Sequence, residues 1–261
     1  MQINLAHKKA LVGGSSAGIG KAIAYQLAAS GASVTLMSHS EEKLKRIVAD
    51  LPTHQGQNHK YLVVDFNDFE AYKRLISGYF EEHSIDILIN NTQGPPAGTA
   101  LEIQVVDYQN AFDLLFKITV LNTELALKNM QKNKWGRIIN VASVSVREPL
   151  SYLVLSNSIR AAVVTWAKSL AAEVGKDQIT VNSVLTGYFD TQRIADLNAK
   201  KAKEQNSSAD KVLQEMESKV PVGRIGKPEE YGFLVAFLAS EQASYITGTQ
   251  IPIDGGLLKS I

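Results

Sequence analysis

Three features are missing from this sequence of 261 residues: cysteine, an excess of charge of one sign, and a long apolar run. The absence of cysteine excludes disulfide bonds and thiolate metal sites, and we predict no metal site. No apolar run approaches the ~20 residues that a membrane-spanning helix needs. The first residues also lack the pattern of a secretory signal peptide. We therefore expect a cytoplasmic protein that has no membrane partner.

The charge balance and the length narrow the class of protein further. With 27 basic and 26 acidic side chains the net charge is +1, so no overall electric field attracts nucleic acid. Hydrophobic residues make up 45% of the sequence, which is ordinary for a globular protein. No linker-like shift in composition divides the chain. We predict one α/β domain over residues 1–261 and no nucleic-acid partner.

Short apolar runs alternate with longer amphipathic patterns along the chain. Strands are predicted at residues 11–12, 34–37, 61–64, 85–89, 138–142, 179–185 and 250–253. The helices between them include those predicted over residues 106–132, 152–174 and 228–238. Ser40 and Asn67 are predicted to cap the helices that follow the second and third strands. The alternation predicts a doubly wound parallel sheet, with its ligand at the carboxyl ends of the strands.

A glycine-rich turn, GGSSAGIG, follows the first strand. Gly14, Gly18 and Gly20 allow the backbone to turn tightly and to approach a ligand closely. The helix that begins near Ile19 would point free N–H groups and the positive end of its dipole at that ligand, which suits a phosphate. Such a turn taken alone can also be a plain tight turn.

Polar residues stand at the ends of the other strands as well. The row comprises Ser38, His39 and Ser40, then Asp65 and Phe66, then Asn90, Asn91 and Thr92, and finally Ser143 and Gly187. Helix capping would account for single members of this row, but packing does not require a polar set at one edge of the sheet. We expect these residues to line a shared binding site.

These motifs together resemble those of the short-chain dehydrogenase/reductase family. The glycine turn is similar to that family's G-x-x-x-G-x-G cofactor turn, Asp65 to its adenine-side aspartate, and Asn90-Asn91 to its Asn-Asn-Ala-Gly segment. Further downstream, GRIINVAS, ITVNSV, PVGRIGKPEE and ITGTQIPIDGG are similar to other family signatures in the same order. The resemblance covers essentially the whole chain and comes nearest to the 3-oxoacyl-acyl-carrier-protein reductases. It implies a Rossmann domain that reduces a small-molecule or acyl-thioester carbonyl with NADPH, assembled as a homotetramer or homodimer.

The resemblance also implies which residues hold the cofactor. They are Gly14, Ser16, Gly18, Ile19, Gly20, Ser38, His39, Asp65, Phe66, Asn91, Arg160 and Gly187. An acidic residue after the second strand would bind the ribose of NAD and repel the additional phosphate of NADP. Ser38 and His39 stand there instead, so NADP is favoured over NAD. His39 replaces the family's usual arginine, and an imidazole lacks the permanent charge of a guanidinium, which weakens its hold on a phosphate.

The catalytic positions depart from the family pattern. The family uses a serine, a tyrosine, a lysine four residues beyond the tyrosine, and an asparagine on the preceding long helix. Ser143 matches the serine, whereas Ser156, Arg160 and Leu115 occupy the other three positions. An alkyl hydroxyl is a far weaker acid than a phenol, so Ser156 is a poor proton donor. Arg160 stays cationic and could still bind the nicotinamide ribose.

Three replacements for the proton donor remain open. Tyr188 follows the sixth strand, Tyr152 lies one helical turn before Ser156, and a water could relay a proton through Ser143 and Ser156. A chain that binds dinucleotide without catalysis, and acts as a sensor or interaction protein, is the alternative hypothesis.

Two further segments have predicted roles. Residues 188–222 are expected to form the substrate lid, and their charges between Asp196 and Lys219 balance, which is typical of a solvated helical face. The two long helices carry apolar stripes that pack against the sheet, or pair across a subunit interface as the resemblance implies. The stripes comprise Phe112, Leu115 and Val120 on one helix, and Val163, Trp166 and Leu170 on the other.

Overall fold

The computed structural model describes residues 3–260. Residues 1, 2 and 261 of the predicted domain lie outside the described residues. Within residues 3–260, seven parallel strands form a sheet in the order β3-β2-β1-β4-β5-β6-β7. The strands are β1 (Lys9–Val12), β2 (Ser33–Ser38), β3 (Lys60–Val63), β4 (Ile87–Asn90), β5 (Gly136–Val141), β6 (Ile179–Thr186) and β7 (Gln250–Ile253). This strand order confirms the predicted doubly wound Rossmann sheet.

Helices cover both faces of the sheet. They are α1 (Gly18–Ala29), α2 (Glu41–Asp50), α3 (Phe69–Glu82), α4 (Val105–Phe112), α5 (Ile118–Asn133), α6 (Val154–Val174), α7 (Gln192–Glu204), α8 (Ala209–Glu217) and α9 (Pro228–Leu238). One hydrophobic core joins the sheet to α1, α2 and α9, and a second core joins it to α3, α5 and α6. Successive strand residues alternate between the two cores: Val12 enters the first and Leu11 the second.

One predicted helix cap is wrong, because a local hydrogen bond sets the start of α3. The cap of α3 is Asp68 and not Asn67, since the Asp68 carboxylate accepts the N–H of Ala71 at 2.9 Å. Asn67 instead donates its backbone N–H to the Asp65 carboxylate at 2.8 Å. Ser40 precedes α2 as predicted, but its side chain makes no capping hydrogen bond.

The two long helices also differ from the prediction. The first is interrupted by a π-helical turn, Asp113–Lys117, between α4 and α5. The second begins at Val154, because Gly98 pairs with the segment before it: the Gly98 N–H donates to the Tyr152 carbonyl at 2.8 Å, and the Val154 N–H to the Gly98 carbonyl at 3.3 Å. Tyr152 therefore belongs to a turn and not to α6. Among the helices of residues 3–260, none is long and apolar enough to cross a membrane.

Candidate active site

The glycine turn after β1 is held in place by the end of β4. Gly14 and Gly18 have φ angles of 56° and 51°, in the left-handed region that favours glycine. A Cβ atom on Gly20 would lie 2.2 Å from the carbonyl oxygen of Gly14, so α1 packs directly against the turn. The Asn91 side-chain amide donates to the Gly13 carbonyl at 3.0 Å. Asn91 therefore holds the glycine turn in place, and it does not line the cavity over the ends of β1, β2 and β3.

The first turn of α1 carries the features of a phosphate site. The helix follows Ala17, has no side-chain cap and has no acidic residue in its first turn. Its first N–H groups therefore lack a capping side chain and carry the positive end of the helix dipole. An anion placed above this helix start would be stabilised by both.

A cavity of about 480 Å³ opens over the ends of β1, β2 and β3. Six of the predicted cofactor residues line it: Gly14, Ser16, Ser38, His39, Asp65 and Phe66. Ser16 Oγ lies 2.7 Å from Ser38 Oγ, which places two hydroxyls side by side at the end of β2. Gln93 lines the same cavity and donates to the Asn67 side-chain oxygen at 3.0 Å. Polar groups from four strand ends thus meet in one cavity.

Gly18, Ile19 and Gly187, which are also predicted cofactor residues, do not line this cavity. Ile19 packs against the hydrophobic core under α1. Gly187 donates its N–H to the Ile253 carbonyl at 3.1 Å and has no room for a side chain next to β7. A Cβ on Gly18 would lie 3.1 Å from Thr191 Cγ2, so the start of the predicted lid rests on the glycine turn. Sequence reasoning missed Thr191, although its place as the cap of α7 is a signal that was available.

The residues at three catalytic positions gather near the end of β5. Ser143 Oγ accepts the N–H of Ser145 at 3.1 Å, which leaves the Ser143 proton free to be donated elsewhere. Arg160 donates to the carbonyl of Val141, the last residue of β5. Ser156 lies one turn before Arg160 on α6 and is 8% exposed. In the described part of the chain, its hydroxyl has no hydrogen-bond partner.

The position of the family's asparagine is occupied by a buried leucine. Leu115 lies in the π-helical turn and is buried. Together with Thr119, Asn140 and Arg160 it lines a cavity of about 10 Å³, enough for one water at most. The Asn140 side-chain nitrogen has no hydrogen-bond partner among residues 3–260. The cavity therefore has room for one water at most and not for a chain of waters.

A second arginine, Arg193 in the first turn of α7, reaches toward the loop after β4. It donates to the Pro95 and Gly94 carbonyls at 3.1 and 3.5 Å. Burial, and secondly the positive charge of Arg193, lower the pKa of Arg160 to about 10, so Arg160 remains charged at neutral pH. Partial burial lowers the pKa of Arg193 as well. The sequence analysis missed Arg193, because its segment has a balanced charge pattern.

The two tyrosine candidates lie near each other. Burial raises the pKa of Tyr188, which lines a cavity of about 300 Å³ with Phe189 and Val222. Burial, and secondly the proximity of Tyr188, raise the pKa of Tyr152, which is 43% exposed. Each phenol is thus a weaker acid than an ordinary tyrosine.

The sequence and the fold were compared with those of known proteins. A family model described as enoyl-(acyl carrier protein) reductase matches residues 14–258. A 3-oxoacyl-[acyl-carrier-protein] reductase, FabG of Aquifex aeolicus, is 32% identical over 262 residues, which cover 98% of this chain and 100% of the relative. The NADPH-dependent reductase BacG of Bacillus subtilis is 31% identical over 263 residues, with 98% and 100% covered.

Two solved structures are similar in fold to nearly the whole of this chain. YwfH, described as an NADPH-dependent reductase involved in bacilysin biosynthesis, matches with a TM-score of 0.90 at 31% identity, covering 97% of this chain and 99% of the other. L-sorbose reductase from Gluconobacter frateurii, solved with NADPH and L-sorbose, matches with a TM-score of 0.93 at 29% identity, with 100% of both chains covered.

Proposed function

We propose, since the chain belongs to the short-chain dehydrogenase/reductase family, that it is an NADP-dependent carbonyl reductase of the 3-oxoacyl-acyl-carrier-protein reductase type. The observation that carries the proposal is the cavity over β1, β2 and β3, in which β2 ends in Ser38 and His39 and not in a carboxylate. A site of this kind accepts the additional phosphate that distinguishes NADP from NAD. Relatives described as NADPH-dependent support the same cofactor.

The residues present fit this cofactor. The uncapped start of α1 would hold the diphosphate. Ser16, Ser38 and His39 would hold the phosphate on the adenosine ribose, and Asp65 the adenine side. Arg160 would bind the nicotinamide ribose. When bound, the cofactor supplies the hydride that reduces the carbonyl.

The protein's own side chains polarise the substrate and shield it. Ser143, whose proton is free, donates a hydrogen bond to the substrate carbonyl oxygen. Tyr188 is proposed as the proton donor, with Tyr152 or a bound water as the other routes. Residues 188–222, which contain α7 and α8, are proposed as the lid that excludes water. The contact between Thr191 and the glycine turn supports this placement of the lid.

A second candidate function is that of a dinucleotide-binding protein without catalysis. The observation that favours it is the packing around Leu115 and Arg160, which leaves about 10 Å³ where a proton relay would run. The protein would then act through cofactor-dependent binding to a partner. Loss of turnover without loss of cofactor affinity is the signature of this function.

Paired measurements separate the two candidates. NADPH and NADH binding are followed by cofactor fluorescence, and NADPH consumption is tested against a panel of ketones and acetoacetyl thioesters. We expect NADPH to bind more tightly than NADH and to be consumed with at least one carbonyl, and Ser143→Ala to abolish consumption while binding persists. No affinity for either cofactor contradicts both candidates. Binding without consumption, unaffected by Ser143→Ala, supports the second.

We also propose that the chain forms a homotetramer or homodimer. Leu115 and Val163 of the apolar stripes are buried, but Phe112 is 36% exposed. The Phe112 and Phe116 rings stack with centroids 5.0 Å apart, and Phe116 meets Trp166 edge to face at 6.1 Å. This aromatic surface supports pairing between copies. Light scattering should give a mass of two or four times 28.5 kDa. The cytoplasmic location predicted from the sequence stays a prediction.

A further inference from the structure

Gln93 brings a side chain to a position where the family's Asn-Asn-Ala-Gly segment has glycine. It is the third residue after β4, which ends at Asn90. Gln93 lines the cavity over the ends of β1, β2 and β3 together with Asp65, the residue predicted for the adenine side. The chain therefore departs from the family at the point where the adenine end of the cofactor is proposed to bind.

The Gln93 side chain makes a hydrogen bond that joins two sides of this cavity. Its amide nitrogen donates to Asn67 Oδ1 at 3.0 Å. Asn67 follows β3 and Gln93 follows β4, and β2 and β1 lie between these two strands in the sheet. Three inter-strand spacings of ~4.8 Å separate such strands by about 14 Å. Both side chains are exposed, so the hydrogen bond spans the cavity at its rim.

The hydrogen bonds around Asn67 determine which way each amide faces. Asn67 donates its backbone N–H and its side-chain amide to Asp65 Oδ1, at 2.8 and 3.0 Å. An ionised carboxylate only accepts, so the Asn67 side-chain nitrogen faces Asp65 and its oxygen faces Gln93, which must donate. Within residues 3–260, the other Asp65 oxygen and the Gln93 side-chain oxygen accept no hydrogen bond. Two free acceptors therefore lie in one cavity.

The stability of the fold does not explain the bond between Gln93 and Asn67. The cap of α3 is Asp68, whose carboxylate accepts the Ala71 N–H, so this helix start does not need the Asn67 side chain. Gln93 lies in a loop, outside the helices and strands. Exposed amides can bond to water instead of to each other, so the fold gains little from their contact. A role toward a ligand of the cavity accounts better for this side chain.

We propose that Gln93 is a specificity-determining residue that recognises the adenine base of the cofactor. The amide of a glutamine matches one edge of adenine, because its oxygen accepts from the 6-amino group and its nitrogen donates to N7. The free oxygen of Asp65, which Asn67 holds in place, is a further acceptor for the same amino group. A base with an oxygen in place of the amino group would meet two acceptors and bind less tightly. This inference rests on the proposed cofactor binding and adds a residue to it.

The test compares NADPH with its hypoxanthine analogue, in which an oxygen replaces the 6-amino group of the base. Fluorescence of the reduced nicotinamide gives both dissociation constants without turnover. Gln93→Ala removes the side chain, whereas Gln93→Met keeps its length and removes only the amide. Gln109→Ala is the control, because Gln109 lies on α4 outside the cavity and donates to Asp113 at 2.9 Å. Thermal unfolding without cofactor checks that all variants fold.

The parent protein should bind NADPH about 10-fold more tightly than the analogue, or better. Both Gln93 variants should lose about 3- to 10-fold in NADPH affinity and less than about 2-fold in affinity for the analogue, because only adenine loses hydrogen bonds. Gln109→Ala should behave like the parent protein.

An equal loss of affinity for both cofactors in the Gln93 variants shows a merely structural role and overturns the proposal. A gain for both cofactors in Gln93→Ala, absent from Gln93→Met, shows that the side chain only obstructs the cavity and also overturns it. If neither cofactor binds to the parent protein, the proposed function fails together with this inference. A preference for adenine that depends on Gln93 in a protein without turnover supports the inference and contradicts only the reductase function.

Discussion

Replacement of Ser38 by aspartate should reverse the preference for NADPH over NADH. Ser38 ends β2, is 4% exposed, and lies with its hydroxyl 2.7 Å from that of Ser16. A carboxylate at this point would repel the additional phosphate of NADPH and accept hydrogen bonds from the ribose of NADH. Ser38→Asn is the matched control, because asparagine has the size of aspartate without the charge.

The expected magnitude follows from the charge alone. Two unit charges about 5 Å apart repel each other by ~0.8–3 kcal/mol for an effective dielectric constant between about 80 and 20. Such a repulsion makes NADPH binding roughly 4- to 150-fold weaker. NADH lacks the phosphate, so its affinity should stay the same or increase.

Fluorescence titration of both cofactors against the parent protein and the two variants measures this effect. Thermal unfolding without cofactor checks that both variants fold to a similar extent. We expect Ser38→Asp, but not Ser38→Asn, to bind NADH more tightly than NADPH. Equal losses of NADPH affinity in both variants would refute the idea that charge at the end of β2 selects the cofactor.

Three further predictions concern the turn, the core and acid stability. Gly20→Ala places a Cβ atom 2.2 Å from a carbonyl of the glycine turn, so we expect a lower Tm and lost NADPH binding; a variant that keeps both would contradict the packing described. Tyr72→Phe removes the hydroxyl that donates to Asn122 at 2.7 Å. Denaturant titration should show a free energy of unfolding that is lower by about 1–3 kcal/mol. An unchanged free energy of unfolding would show that this hydrogen bond does not stabilise the fold. Hydrogen bonds from Arg224 and, secondly, from the Lys227 N–H lower the pKa of Glu230 from 4.5 to about 2. The stability that the ionised Glu230 adds is complete above pH 4.5 and is lost as the pH falls toward 2. In thermal melts at several pH values, Glu230→Gln should reduce the fall of Tm at low pH. An unchanged fall of Tm would exclude the Arg224–Glu230 pair as its cause.

The sheet was predictable because its strands are short apolar runs. The inner strands β4, β5 and β6 are buried on both faces, whereas the edge strands β3 and β7 are partly exposed. The bounds of α9 and β7 agree with the prediction to the residue. One error occurred where a distant segment sets a helix boundary. The start of α6 depends on Gly98, more than fifty residues earlier in the chain, and periodicity alone does not reveal such pairing.

The cavity over β1, β2 and β3 was predictable for a related reason. The carboxyl ends of parallel strands meet at one edge, so polar residues such as Ser38 and Asp65, far apart in the chain, come together. The position of Arg193 was not predictable, because its contact with Gly94 depends on how the lid folds back onto the sheet. The charge pattern of the lid resembles that of any solvated helix.

Transfer of deuterium from labelled NADPH tests the central claim most directly. The label is placed on the hydride-donating carbon of the nicotinamide, and mass spectrometry follows it into the alcohol formed from each carbonyl of the panel. The proposed function predicts one deuterium in the alcohol product of at least one substrate, and none when Ser143→Ala is used. If NADPH binds but no deuterium appears in any product, the chain is not a carbonyl reductase for these substrates, and catalysis as proposed is contradicted.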